Sequence, residues 1–273
     1  MPTLHTRDVR LHYEESGRGP VVVLAHGGGG DLTQWRHQVA DLARDHRVIA
    51  YDARGHGQSS TAADCGIPAM VDDLGALLGH LDVRRTSLVG ATLGGVTVLE
   101  FALVHPEVVE AVVVVSTAPD TTDEMRARFE ASAGVVESGD LEGFAEGFVS
   151  FIFSEGYVAA HAAEVADFQQ RLARIDPRGY AGSIRALGNR PDLSPRLGAL
   201  GAPTLVVTGA LDPIPTSAPG AERLAGAIPR ARAVVIPDAA HLPHIERPDV
   251  FGRCVREFLA EARAAESRRS ARA

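Results

Sequence analysis

The chain has 273 residues, 45% apolar and 23% charged, with a formal net charge of −8, which is the profile of a globular protein large enough to bury a substantial core. All 27 basic residues are arginine, which removes Schiff-base catalysis, a phosphate-loop lysine and a kinase lysine. Two distant cysteines exclude a thiolate zinc site, an iron–sulfur cluster and a disulfide framework, and the acidic balance weighs against a nucleic-acid partner.

The N-terminal residues Met1-Pro2-Thr3-Leu4-His5 carry no basic-then-apolar leader, and the longest apolar runs, at 21–25 and 111–115, are far too short to span a bilayer. The expectation is a cytoplasmic protein without a membrane partner. Segments 9–15 and 21–25 read as strands joined by a turn at Ser16-Gly17-Arg18-Gly19-Pro20. Residues 33–45 read as a helix and 47–51 as a strand. In 67–81 the apolar residues Ile67, Met70, Val71, Leu74, Leu77, Leu78 and Leu81 recur at helical spacing. A strand at 87–89, a helix at 93–104 and a strand at 112–115 follow. These strands are apolar almost throughout, as central parallel strands covered on both faces must be.

The rhythm then breaks. Residues 120–200 contain no convincing strand but hold Phe129, Phe144, Phe148, Phe151, Phe153 and Phe168. Phe144, Phe148 and Phe151 share one helix face at i, i+4, i+7. Alternation resumes with strands at 204–208 and 233–236 and closes with a helix at 247–264. The reading is an α/β core over 1–119 and 201–265, a helical insertion over 120–200, and a charged tail over 266–273 that frays. An aromatic-rich insertion of this size is a candidate lid over a pocket; the plain alternative is that its phenylalanines only dock it on the core.

Three loops that follow strands carry chemistry, where open parallel sheets bind ligands. Val89-Gly90-Ala91-Thr92-Leu93-Gly94-Gly95 joins a strand to a helix, and its small residues permit a sharp turn that lifts one hydroxyl clear of the backbone. Thr208-Gly209-Ala210-Leu211-Asp212-Pro213 places an acid after a buried strand, and Ala239-Ala240-His241-Leu242-Pro243-His244 a histidine after the last one. With His26-Gly27-Gly28-Gly29-Gly30 after the strand at 21–25, this order of hydroxyl, acid and histidine resembles the α/β-hydrolase fold superfamily. Trp35 and Gln38, the turn Asp52-Ala53-Arg54-Gly55-His56-Gly57-Gln58-Ser59, and Pro243, Glu246, Arg247, Pro248 and Phe251 after His241 are similar to its esterase, epoxide-hydrolase and haloperoxidase-like branches.

The resemblance implies a mostly parallel central sheet flanked by helices. It implies Thr92 as nucleophile, His241 as base, Asp212 as its partner, and an oxyanion hole from the N–H groups of Gly28 and Leu93. It implies no metal and no organic cofactor. Thr92 departs from the family pattern of Ser, Asp or Cys. Three outcomes stay open: a slower threonine nucleophile, a threonine that only hydrogen-bonds substrate while His241 and Asp212 do acid–base chemistry, or a silent site. The functions ranked in that order are a hydrolase of an apolar ester, lactone or similar carbonyl compound; a cofactor-free lyase, cyclase or isomerase; and a small-molecule binder. A Rossmann oxidoreductase ranks last, because G-x-G-x-x-G fails at Leu32 or Thr33. A homodimer is left open.

Phe144, Phe148, Phe151 and Trp35 are carried as substrate-binding candidates, although Trp35 reads first as a core residue and only second as a pocket wall. His26 is read as bonding its own loop, Asp31 as a helix cap, and His56 and Arg54 as organising the turn at 52–59. His244, three residues after His241, is not read as half of a metal pair, because Pro243 lies between them and no partner acid stands at metal spacing. His5, His12, His46, His80, His105 and His161 are read as surface residues.

Overall fold

The computed structural model describes residues 2–214 and 217–270. Its strands are β1 (Thr3–His5), β2 (Arg10–Ser16), β3 (Val21–Ala25), β4 (Arg47–Tyr51), β5 (Thr86–Ala91), β6 (Val109–Val115), β7 (Thr204–Gly209) and β8 (Ala231–Ile236). They form one sheet in the order β1-β2-β4-β3-β5-β6-β7-β8. β1 and β2 are antiparallel additions at one edge, and every pair from β4 to β8 is parallel. The segments at 9–15 and 21–25 are thus both strands, with β4 inserted between them.

Period-two alternation puts Val112 and Val114 in one core and Val113 and Val115 in the other. A 3₁₀ turn (Leu32–Trp35), α1 (Arg36–Leu42) and α12 (Pro248–Ser270) cover the second face, and α2 (Ile67–His80) and α3 (Leu93–Val104) the first. The helix expected at 33–45 is therefore shorter and begins as a 3₁₀ turn. α12 continues through Ser270, past the expected tail boundary at 266, because Ala, Glu and Arg favour helix and no Gly or Pro intervenes. Residues 271–273 lie outside the described residues.

Between β6 and β7 the chain is helical: α4 (Asp123–Glu137), α5 (Leu141–Ile152), α6 (Glu155–Ala160), α7 (Ala162–Leu172), α8 (Pro177–Asn189) and α9 (Ser194–Leu197). Four of these starts have a side-chain cap. Thr122, Asp140, Ser154 and Asp176 accept hydrogen bonds from N–H groups in the first turns of α4, α5, α6 and α8. The short strand β1 and α10 (Ser217–Ala227) lacked a readable periodic signal. His12 and His46 are buried rather than at the surface.

Successive crossovers run from β3 to β4 on one side and from β4 back to β5 on the other. The loops after β3 and β5 therefore part from each other, and a crevice opens at the strand ends between them.

Candidate active site

β5 is buried along its whole length and delivers Thr92 to that crevice. Thr92 has φ 48° and ψ −106°, a conformation that is strained for a β-branched residue. The surroundings hold it there. Its N–H donates to Val115 O at 2.9 Å, and Gly94 N–H donates to His26 O at 3.1 Å. A methyl at Gly94 would stand 2.5 Å from His26 O, and one at Gly90 would stand 2.6 Å from the Gly94 carbonyl carbon. Only glycine permits so tight a turn.

The glycine loop after β3 is equally fixed. His26 Nδ1–H donates to Gly27 O at 2.8 Å, and its Nε2 accepts from Ala53 N–H at 2.9 Å. Burial lowers the His26 pKa, so the ring stays neutral. Gln34 Oε1 accepts from Gly27 N–H at 3.1 Å. Asp52 receives the N–H groups of Leu32 and Gln58, each at 2.8 Å, and Asp31 receives that of Thr33 at 2.9 Å. Among the described residues no acceptor engages the N–H of Gly28 or of Leu93.

His241 follows β8, and its Nδ1–H donates to Asp212 Oδ2 at 2.8 Å. Ile214 N–H donates to the same carboxylate at 3.0 Å. The Asp212 side chain is only 2% exposed. A carboxylate accepts, so the ring proton lies on Nδ1 and Nε2 is left as a base. Thr92 and His241 line one cavity of about 440 Å³. Its far wall is Met125 and Phe129 of α4, Phe144, Phe148 and Phe151 of α5, and Tyr180 of α8. Thr92 Oγ1 lies against Gly27, where an added methyl would stand 2.6 Å away. It makes no hydrogen bond to the His241 ring.

The sequence pattern of the alpha/beta hydrolase fold family matches residues 20–138. 3-Oxoadipate enol-lactonase 2 of Acinetobacter baylyi is 31% identical over 263 residues, covering 94% of this chain and 96% of the relative. The chain belongs to the α/β-hydrolase fold superfamily. The crystal structure of an enol-lactonase from Burkholderia xenovorans superposes with a TM-score of 0.89 at 29% identity, covering 95% of this chain and all of that one. A thermophilic esterase from Thermogutta terrifontis gives a TM-score of 0.87 at 30% identity, covering 93% of this chain and 94% of its own. The protein is an α/β-hydrolase-fold hydrolase.

In this α/β hydrolase, Thr92, Gly28, His241, Phe144, Phe148 and Phe151 meet at the cavity, with Asp212 behind the histidine. Trp35 does not join them. It is fully buried on the opposite face, stacked on His244 at 4.3 Å and packed near Phe251. The turn that carries it faces the α1–α12 layer, so its ring is core and not a pocket wall. His244 lies in that core, with its ring against Trp35 and Phe251. Among the described residues no cluster of three or more metal-ligating side chains forms. His56 and Arg54 organise their turn: His56 Nδ1–H donates to Arg54 O at 3.1 Å, and Arg54 grips Asp73 at 2.7 and 2.8 Å.

Two more residues at the site are marked weakly or not at all by the sequence. Arg190 lies in the cavity wall, where its guanidinium donates to the carbonyl oxygens of Ala118 and Leu187, and burial pushes its pKa down to about 10. Nothing in its sequence neighbourhood marks it. Glu246 is buried beside the histidine loop; its only signal was its place in the segment after His241.

Proposed function

We propose that this α/β hydrolase cleaves an ester, lactone or similar carbonyl compound of apolar character. Thr92 Oγ1 attacks the carbonyl carbon while His241 Nε2 takes its proton, and Asp212 stabilises the imidazolium. The N–H groups of Gly28 and Leu93 receive the developing oxyanion, a contribution of about 3–4 kcal/mol for each well-placed donor. The protonated ring then gives its proton to the leaving oxygen as the carbon–oxygen bond breaks. Water, deprotonated by the same nitrogen, releases the acyl group and restores Thr92. The helices over 120–200 act as a lid, and Phe144, Phe148 and Phe151 hold the apolar part of the substrate.

One observation carries this reading: the His241–Asp212 pair and the strained Thr92 turn open on the same aromatic-walled cavity. The enol-lactonase and esterase relatives support the substrate class. One feature favours a second reading. Because Thr92 Oγ1 rests against Gly27 and not on the ring, His241 with Asp212 is free to act on a bound water or on a substrate proton, as a cofactor-free lyase, cyclase or isomerase would use it.

Steady-state kinetics on p-nitrophenyl esters of Thr92→Ser, Thr92→Ala and His241→Ala separate the two. The nucleophile reading expects Ser to equal or exceed wild type, and Ala and the His241 variant to lose roughly 10³-fold or more in kcat. If Thr92→Ala keeps much of the rate while His241→Ala does not, the second reading holds.

A further inference from the structure

Glu246 ends the short helix α11 (Pro243–Glu246) and is 5% exposed. Both carboxylate oxygens are used as acceptors. Oε1 receives Ala240 N–H at 2.9 Å. Oε2 receives Ser154 N–H at 3.2 Å and Ser154 Oγ–H at 2.5 Å. Beside them, His241 N–H donates to Ile152 O at 3.0 Å. The stretch around Ala240 and His241 is thus stitched to the stretch from Ile152 to Ser154. That second stretch is the end of α5, which carries the cavity phenylalanines, and the N-cap of α6.

A buried carboxylate is a costly way to join two loops. Removal from water disfavours its charged form, and burial together with the nearby Asp212 pushes its pKa up. A neutral glutamine cannot replace it. Both oxygens face backbone donors, so an amide NH₂ would oppose either the Ala240 N–H or the Ser154 N–H. What it supplies is geometry, two loops held in one arrangement. The residue fixed by it is the neighbour of the histidine on which the proposed reaction depends.

We propose that Glu246 is a positioning residue that ties the His241 loop to the end of α5, so that the wall holding the substrate's apolar part and the imidazole form one rigid unit. This rests on His241 being the base of the proposed hydrolysis. Substrate seated against Phe148 and Phe151 is then placed relative to Nε2 by the same four hydrogen bonds.

The test is a double-mutant cycle of Glu246→Gln and Ser154→Ala, with Ser154→Thr and His241→Ala alongside, read as kcat and KM on p-nitrophenyl butyrate and as Tm. Glu246→Gln is expected to lower kcat about tenfold or more with a much smaller change in KM, as small misplacements of a catalytic group do. Ser154→Ala is expected to lower kcat less, to add nothing on top of Glu246→Gln, and to be rescued by Ser154→Thr, which restores the hydroxyl. A Glu246→Gln enzyme with kcat within about twofold of wild type, beside an inactive His241→Ala, overturns the proposal. An active His241→Ala overturns the functional reading instead. If Glu246→Gln does not fold, Ser154→Ala decides: lowered kcat at wild-type Tm upholds the positioning role, and unchanged kcat ends it.

Discussion

Thr92 concentrates the tension at the level of single residues. A β-branched side chain at φ 48° stores on the order of 1–3 kcal/mol of strain that the packed elbow must hold. Serine relieves part of it, because the γ-methyl that crowds the turn is gone. Thr92→Ser is therefore expected to raise the urea unfolding midpoint slightly while keeping activity; a lower midpoint would mean that the methyl packs usefully. The residue types at this site were readable in the sequence because the turn demands them. Gly90 and Gly94 admit no side chain, so their spacing around position 92 marks the elbow even with threonine in it. Asp212 and His241 were readable from the strands that precede them. Trp35 reads first as core, where it lies, but its place as a pocket candidate stayed open, because apolar cores lie on both faces of the sheet and a helix start does not say which one a ring enters.

At the level of elements, the helical segment meets the core at a glycine–glycine contact. A methyl on Gly55 would stand 2.5 Å from Gly179 Cα, and Gly55 sits at φ +74°. Gly179 opens α8, which brings Tyr180 and Ile184 to the cavity. Gly179→Ala is expected to push α8 off the turn at 52–59, raising KM several-fold and lowering Tm, with kcat less affected. An unchanged KM would show that α8 does not set the substrate wall. The strands of the core were legible because burial on both faces leaves continuous apolar runs. The absence of strands from 120–200 was legible for the complementary reason. How α4 to α8 pack was not, since it depends on distant pairings such as Gly55 with Gly179 and Glu246 with Ser154.

For the whole molecule, buried histidines set the acid response. Burial lowers the pKa of His26, takes that of His56 down to about 4 and that of His244 to about 3, against 6.5 in the unfolded chain. Between those values the unfolded state binds more protons than the folded one. The stability these neutral rings contribute is therefore fully present above about pH 6.5 and is lost as pH falls toward about 4. Asp52, Asp73 and Glu246, whose carboxyls burial pushes up, act in the opposite sense at the acid end. Urea midpoints are expected to be flat above about pH 7 and to fall from about pH 6.5 to 4.5. His244→Phe, which keeps a ring against Trp35 and removes the titrating group, is expected to flatten that fall; an unchanged slope would contradict the assignment.

All of this turns on whether the threonine hydroxyl, the imidazole and the buried carboxylate act together on one carbonyl. Treating the wild-type protein with a fluorophosphonate ester, followed by intact-mass and peptide analysis, tests that most directly. One covalent adduct on Thr92, absent from Thr92→Ala and from His241→Ala, is the predicted result. Ester hydrolysis that proceeds unhindered by the reagent, with no adduct on Thr92, would contradict it.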